Sequence, residues 1–507
     1  MGSFIIRRLF ISLLVLLGAT FIVFVLTANA GDPRTPLYQS TDPTAKLKIA
    51  SLTRNLKLNV PVVPRYFLWL GGAVQCLWGH CELGQNVNGS DVGGLLVSAM
   101  GATLRLVLFA TIIAMFVGIG IGLITALRQY SGLDYTTTFL AFLFFALPVF
   151  WIAVLLKLYF AIKFNSWLES PTIPVTVTVL FALLGGLIAL AVVSGGALRK
   201  LYAFAGGAAA VALICLFFDQ TKWFAAPGIG VIGMIVGAAL SGVVGVTLFS
   251  GFRAKQPMYA AGITAAVGVV TFFLLSGSMT DTTALILLLL LVGTLAISGG
   301  IGAAVGGLYR RQAIKVAMLT GLGCAMLIFF DHVFAAYAGY AEKVRGIVIG
   351  TIGSNTPNFT GTFWENFLDQ FGHLLLPSLA LMLISLATYT RYTRGSMLEV
   401  MNMDYVRTAR SKGLTERTVV LRHAFRNALI PVTTIVALDF GGVIGGAIIT
   451  ETVFGWSGMG KLFNDALKSA DNNTVMGFFL ITGASIVVFN MIADIAYGFL
   501  DPRIRLS

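Results

Sequence analysis

The chain has 507 residues, 57% of them hydrophobic and 11% charged, where soluble domains carry about 25% charge. Its net charge is +13, but the Lys and Arg lie mainly between long apolar runs, and no basic stripe interleaved with aromatics is present. Anionic membrane lipid is therefore the expected partner and nucleic acid is excluded. The absence of period-2 alternation in the runs excludes a transmembrane barrel and leaves spanning helices.

The first apolar run, Leu9 to Ala28, follows Arg7 and Arg8. It could be a signal peptide, but it is longer than a typical signal-peptide core and is read as a retained first span. A polar loop over 29–98 follows, with Pro33, Pro36, Pro43, Pro61 and Pro64. Cys76 and Cys81 lie in it as candidates for a disulfide, with free thiols and a metal as alternatives. His80 between them gives three ligands without a second cluster, a poor zinc site, so no metal is assigned. Cys215 and Cys324 fall inside apolar runs and behave as small hydrophobes.

Spans are predicted at 101–127 and 136–162, then a middle block at 175–195, 201–218, 228–250, 258–276, 283–306 and 314–331. A second outer loop covers 332–372, and the last spans are 374–390, 428–450 and 476–499, twelve in all. With Arg7 and Arg8 inside, the inner loops carry Arg128, Arg199 and Lys200, Arg253 and Lys255, Arg310, Arg311 and Lys315, and a basic stretch from Arg391 to Arg426. The outer turns carry Asp219 with Lys222, Asp281, and Asp331 with His332. This alternation follows the positive-inside rule and predicts cytoplasmic termini. The interval from Arg199 to Asp219 equals that from Arg311 to Asp331, which suggests three repeated hairpins. Chance likeness among helices drawn from few residue types is an equal alternative.

Several motifs carry no chemistry. Gly455 to Lys461 nearly matches a phosphate loop but continues with Leu462 where Ser or Thr must reach a metal. Gly228-x-Gly230-x-x-Gly233, and Gly118, Gly120 and Gly122, are expected to serve close helix packing. No catalytic set converges and no complete nucleotide-binding motif is present, so the chain is read as a non-enzyme that binds no cofactor itself. Asp439 falls in the eleventh span, where a carboxylate costs about 3 kcal/mol by insertion scales. It is either a pore-facing contact or one end of an interhelical hydrogen bond.

The most informative stretch runs from Asp404 to Pro431. It reads as two short helices joined at Gly413, whose left-handed freedom ends the first. Thr415 is a candidate N-cap, and Glu416 suits the positive helix end. Val419, Val420, Ala424 and Phe425 form an apolar side, while Arg417, Arg422 and Arg426 add charge. Physics alone leaves two readings open: a helix lying on anionic lipid, or one docking to a protein.

This stretch resembles the EAA loop of ATP-binding-cassette importer permeases. Arg407-Thr408-Ala409 stands where the motif has Glu-Ala-Ala, and Gly413 matches its glycine. The first acidic residue is missing and the distance to Pro431 is long, both usual in the dipeptide/oligopeptide branch. Phe4-Ile5-Ile6-Arg7-Arg8-Leu9, Leu147-Pro148-Val149-Phe150-Trp151, Leu376-Pro377-Ser378-Leu379 and Arg391 to Val400 are similar to the same branch. So are Gly445-Gly446, Glu451-Thr452-Val453-Phe454, Gly458-Met459-Gly460, Asp494, Tyr497 and Asp501-Pro502-Arg503-Ile504-Arg505.

The resemblance covers about 1–165 and 373–507. It implies an all-α polytopic membrane protein, a type I importer permease core of about six helices, plus about six inserted ones. The units are then 1–165, with external loop 29–98, an inserted block at 170–340, and 341–507, with coupling loop 391–427. It further implies a bacterial plasma-membrane subunit that moves di- or oligopeptides inward by alternating access. The expected partners are a second permease, two ATPase subunits that bind ATP and Mg, and an extracytoplasmic peptide-binding protein. Ala409, Gly413, Leu414, Thr415, Glu416, Arg417, Arg422 and His423 would meet an ATPase, and the loop near Trp69 to Gly84 would receive peptide. Asp439, Trp151 and Phe150 are the pore candidates. Importers of nickel chelates, glutathione or sugars, and ion-coupled secondary transport, remain as alternatives.

Overall fold

The computed structural model describes residues 2–193, 195–280, 282–443 and 447–500. Asp281, Gly445-Gly446 and Asp501 to Arg505 lie outside them, as do the side chains of Phe4, Ile5, Asp494 and Tyr497. The described residues are mostly helical and contain no strand, only an isolated bridge between Gln85 and Asp91. Among the described residues, eleven helices are long and apolar enough to cross a membrane.

Helix α1 is Gly2–Ala30, and α2, Val62–Gln75, lies within the first large loop. Helix α3, Val92–Leu127, starts at an Asp91 cap whose side chain accepts from the Gly94 amide. The span expected at 136–162 is instead two helices, α4, Gly132–Ala146, and α5, which begins at Val149 and continues through a wider turn to Leu168. Pro148 causes the break: it lacks an amide hydrogen and pushes Leu147 into extended backbone, ψ 130°.

The middle block comprises α6, Val175–Val192, α7, Ala197–Gln220, α8, Gly230–Phe249, α9, Lys255–Leu275, α10, Ala284–Val305, and α11, Arg310–Ala335. The pair α6/α7 packs on itself and on α4. Helices α8 to α11 interlock as a separate bundle around α11. The same devices recur along the block. Asp219 accepts from the Ile173 amide at the start of α6 (2.7 Å), and Asp331 from the Ile229 amide at the start of α8 (3.2 Å). The indole of Trp167 donates to the Thr172 carbonyl and that of Trp223 to the Gly228 carbonyl, both 2.8 Å. Gly228, Gly230 and Gly233 do not make the close helix packing expected of them. A side-chain carbon at Gly228 or Gly230 would meet open space, and one at Gly233 only its own helix at Ile229.

Helix α12, Phe363–Met401, begins with a capping box of Thr362 and Glu365. Its 39 residues span about 58 Å at 1.5 Å per residue, well beyond a bilayer core of about 30 Å. The expected span 374–390 is thus the middle of a longer rod, and the predicted loop at 391–427 is helical through Met401. The remaining elements are α13, Asp404–Ser411, α14, Phe425–Val443, α15, Ile448–Phe454, α16, Met459–Lys468, and α17, Asn472–Leu500. The span expected at 428–450 is replaced by α14, which carries Pro431 and Asp439 and is not among the eleven long apolar helices.

The core is built on the crossing of α3 and α12. A side-chain carbon at Gly122 would lie 2.7 Å from the Thr390 carbonyl oxygen, and one at Gly118 2.8 Å from Cβ of Tyr389. Only glycine lets the two backbones approach this closely. Gly120 faces open space and takes no part. Helix α14 packs on α3, α12 and α17, and α17 packs on α1.

Candidate functional site

Helix α13 ends at a turn in which Gly413 has φ +76°, a left-handed conformation that a side chain disfavours. The chain re-enters helix at Glu416–Thr418, widens into a π turn over Val419–Ala424, and continues without a break into α14. Thr415 occupies the N-cap position, but its hydroxyl bonds that of Thr418 (2.9 Å) and caps no amide.

The inner side of this hairpin is apolar. Val406, Ala409, Val419, Val420 and Ala424 are buried together with Ala126 of α3 and Met397 of α12. Ala409 therefore lies inside, not on the outer face where docking was expected. Ser396 of α12 donates to the Ala428 carbonyl (2.8 Å) and Asn427 to the Tyr405 hydroxyl (2.9 Å). The outer side is solvent-facing: residues 411–417 are all exposed, with Leu421 and Arg422, and His423 is half-buried. Arg410 clamps Glu416 across the Gly413 turn with contacts of 2.7 and 3.2 Å. Its guanidinium holds the Glu416 carboxyl below the usual carboxylate range. The pair is exposed, so it adds shape more than stability. A cavity of about 640 Å³ lies beside the knuckle, lined by Leu123, Met401, Arg410, Glu416, Arg417 and Leu421.

The knuckle is tied to the spans. Arg394 of α12 grips buried Asp134 at the start of α4 through two contacts, 2.6 and 3.0 Å. The knuckle and, separately, the end of α3 also touch the middle block. Arg417 donates to the Leu248 carbonyl near the end of α8 (3.3 Å), and Arg128 to the Val192 carbonyl that ends α6 (2.8 Å). A cation suits the negative end of a helix. The interval from Val192 to Leu248 equals that from Trp167 to Trp223, so both arginines meet repeat-equivalent positions.

A second constellation lies around α15. Glu451 is fully buried and accepts from the Thr103 hydroxyl of α3 (2.7 Å) and the Lys461 amide (2.9 Å). The Trp456 indole donates to the Ala102 carbonyl (3.0 Å), and Gly455, φ +61°, ends α15. Lys157, in the wide turn of α5, donates to the Val453 carbonyl (3.2 Å). Lys461, the last residue of the phosphate-loop lookalike, pairs with Asp465 (2.9 Å). A pocket of about 420 Å³ opens here, lined by Ser98, Arg105, Ser354, Gln370, Leu374 and Trp456. Sequence reading assigns no site role to Arg105 or Lys157 and marks Glu451 only as part of a stretch that resembles the branch. Two of them are charges inside expected spans, which is the signal that could have found them.

The pore candidates are not assembled into one site. Asp439 accepts from the Tyr389 hydroxyl (2.6 Å), the interhelical bond that was one of its two readings. Trp151 and Phe150 are half-exposed on α5, which packs on α12 and α15, whereas α14 packs on α3, α12 and α17. Cys76 and Cys81 are joined by a disulfide in the loop. Among the described residues no group of His, Cys, Asp and Glu could hold a metal ion.

Residues 269–506 match the family described as binding-protein-dependent transport system inner membrane component. The chain is 46% identical over 140 residues to the dipeptide transport system permease protein DppB of Escherichia coli K12, covering 28% of this chain and 41% of that protein. It is 40% identical over 155 residues to the oligopeptide transport system permease protein OppB of Mycobacterium tuberculosis H37Rv, covering 31% and 48%. It thus spans less than half the length of these relatives. A Brucella ovis protein named as a peptide permease, BOV_A0351, is 36% identical over 225 residues, covering 43% of this chain and 68% of that protein. On the strength of these matches and its multi-helix membrane fold, the chain belongs to the binding-protein-dependent inner-membrane permeases, in the dipeptide/oligopeptide branch.

Proposed function

We propose that this chain is one of two pore-forming subunits of an ATP-driven importer of di- and oligopeptides. The observation that carries the reading is the knuckle at 411–417, exposed outward and packed inward on the ends of α3 and α12. A protein surface with Leu414, Arg417 and Leu421 exposed beside a concave cavity suits a groove on a partner better than a flat lipid face. The partners are a second permease, two cytoplasmic ATPase subunits that hold ATP and Mg, and an external peptide-binding protein. The chain itself catalyses nothing, sits in a bacterial plasma membrane, and has both termini in the cytoplasm.

Closure of the ATPases moves the knuckle. Because the helix from Glu416 runs unbroken into α14, and α12 reaches the knuckle from the far side of the core, the motion passes to the spans as a rigid-body shift. The π turn at Val419–Ala424 is where that rod can reset its register. Peptide shifts the balance between inward and outward openings by binding one better than the other. Arg105 in its pocket is placed to meet a peptide carboxylate.

The test is purification of the tagged chain in mild detergent with identification of what accompanies it. A second permease and an ATPase are the expected companions. A chain that purifies alone at low and high salt, and that supports ion-driven uptake in vesicles, would replace this reading with secondary transport.

A further inference from the structure

Arg65 lies on α2, outside the spans, and is only 9% exposed. Its Nε has no hydrogen-bond partner among the described residues, and no carboxylate there pairs with it. Its one charge contact is the Phe24 ring, 5.7 Å away. Arginine stays protonated in proteins, so burial cannot be relieved by losing the charge. A buried guanidinium N–H without an acceptor is unfavourable, and an anion in the adjoining space would satisfy both that N–H and the charge.

A cavity of about 390 Å³ adjoins it, lined by Arg65, Arg34, Asp32, Asn59, Pro61 and Ala28. The one carboxylate in the wall, Asp32, is already held by Arg34 through contacts of 2.9 and 3.2 Å. The wall therefore keeps one positive charge in excess. The surrounding stretch is also basic: over 29–65 six Lys and Arg stand against two Asp. That runs against the acidic character of the other outer turns and gives the stretch an anion-attracting field.

The cavity lies between the outer end of α1 and the start of α2, where Ala28 packs against the cluster of Phe24, Tyr66 and Trp69. We propose that this cavity is an anion site that takes a phosphate group, from a phospholipid headgroup or from free phosphate.

The test uses the purified full-length chain stripped of lipid, with thermal melting as readout. The probes are dioctanoyl phosphatidylglycerol, dioctanoylglycerol without phosphate, and inorganic phosphate. The phospholipid should raise the melting temperature saturably and the uncharged glyceride should not. Arg65→Gln should weaken that binding more than about tenfold, while melting at or above wild type without lipid because an unpaired charge has gone. Arg65→Lys keeps the charge without the fork and should fall between. A saturable rise with inorganic phosphate alone supports the same phosphate chemistry with a free anion as the source. Equal responses to phospholipid and glyceride in the wild-type chain with no response to inorganic phosphate, a comparison that needs no variant, would overturn the proposal, as would equal affinity for the responding phosphate probe in wild type and Arg65→Gln.

Discussion

The helices that flank the middle block and the block itself are held together differently. Core helices are joined by specific side chains over long sequence distances: Arg394 to Asp134, Tyr389 to Asp439, Thr103 to Glu451. The block relies on apolar contact and on caps at helix ends, with Asp219 and Asp331 serving equivalent starts. A region that alternates between two arrangements needs contacts that specify each one. A region that only has to remain folded in lipid does not. The two meet through donors on the core: Arg128, Arg417 and the Trp364 indole, which bonds the Met279 carbonyl (2.7 Å).

The largest expected effect breaks the core at its crossing. Gly122→Val puts branched carbons where 2.7 Å is free, and should destabilise by about 3 kcal/mol. Melting and membrane yield would report it; a variant as stable as wild type would mean that α3 and α12 can separate freely. Gly120→Val, where nothing lies within 4 Å, is the control.

Removing 172–340 asks the opposite question. Peptide uptake should persist with lower thermal stability, since the core keeps its own cross-links. Loss of uptake from a chain that still assembles would give the block a part in transport.

The uneven grip of these regions also explains how much could be read beforehand. Long apolar runs made most helices legible, and the Gly413 turn followed from one residue type. The break at Pro148 was visible as a proline but lay within an apolar run that reads as continuous. The length of α12 was under-read because Arg391 and Arg394 look like loop residues until Asp134 and the Phe145 ring, 4.5 Å from Arg391, are placed beside them. No local pattern pairs Asp439 with Tyr389, or Glu451 with Thr103, because the partners are distant in sequence. Ala409 matched the motif by type, but its inward direction depended on Val419 and Met397 arriving from other segments.

Smaller changes sharpen the comparison. Asp439→Asn keeps an acceptor for the Tyr389 hydroxyl, so stability should change by less than about 1 kcal/mol and uptake should be the same across peptides. A loss confined to certain peptides would make Asp439 a solute contact. Arg128→Ala removes one link from core to block without touching the knuckle. It should lower stability by under about 1 kcal/mol and leave uptake unchanged; a defect in uptake would mean that the block restrains the core.

The central claim is that the knuckle carries motion from an ATPase to the spans, and Gly413→Val tests it most directly. The substitution places a branched side chain at φ +76° in a region with open space around it, so it alters the turn without a clash. In the complex reconstituted with its ATPases and binding protein, peptide-stimulated ATP hydrolysis and peptide uptake should both fall while the subunits still assemble. Normal stimulation and uptake in that variant would contradict the account.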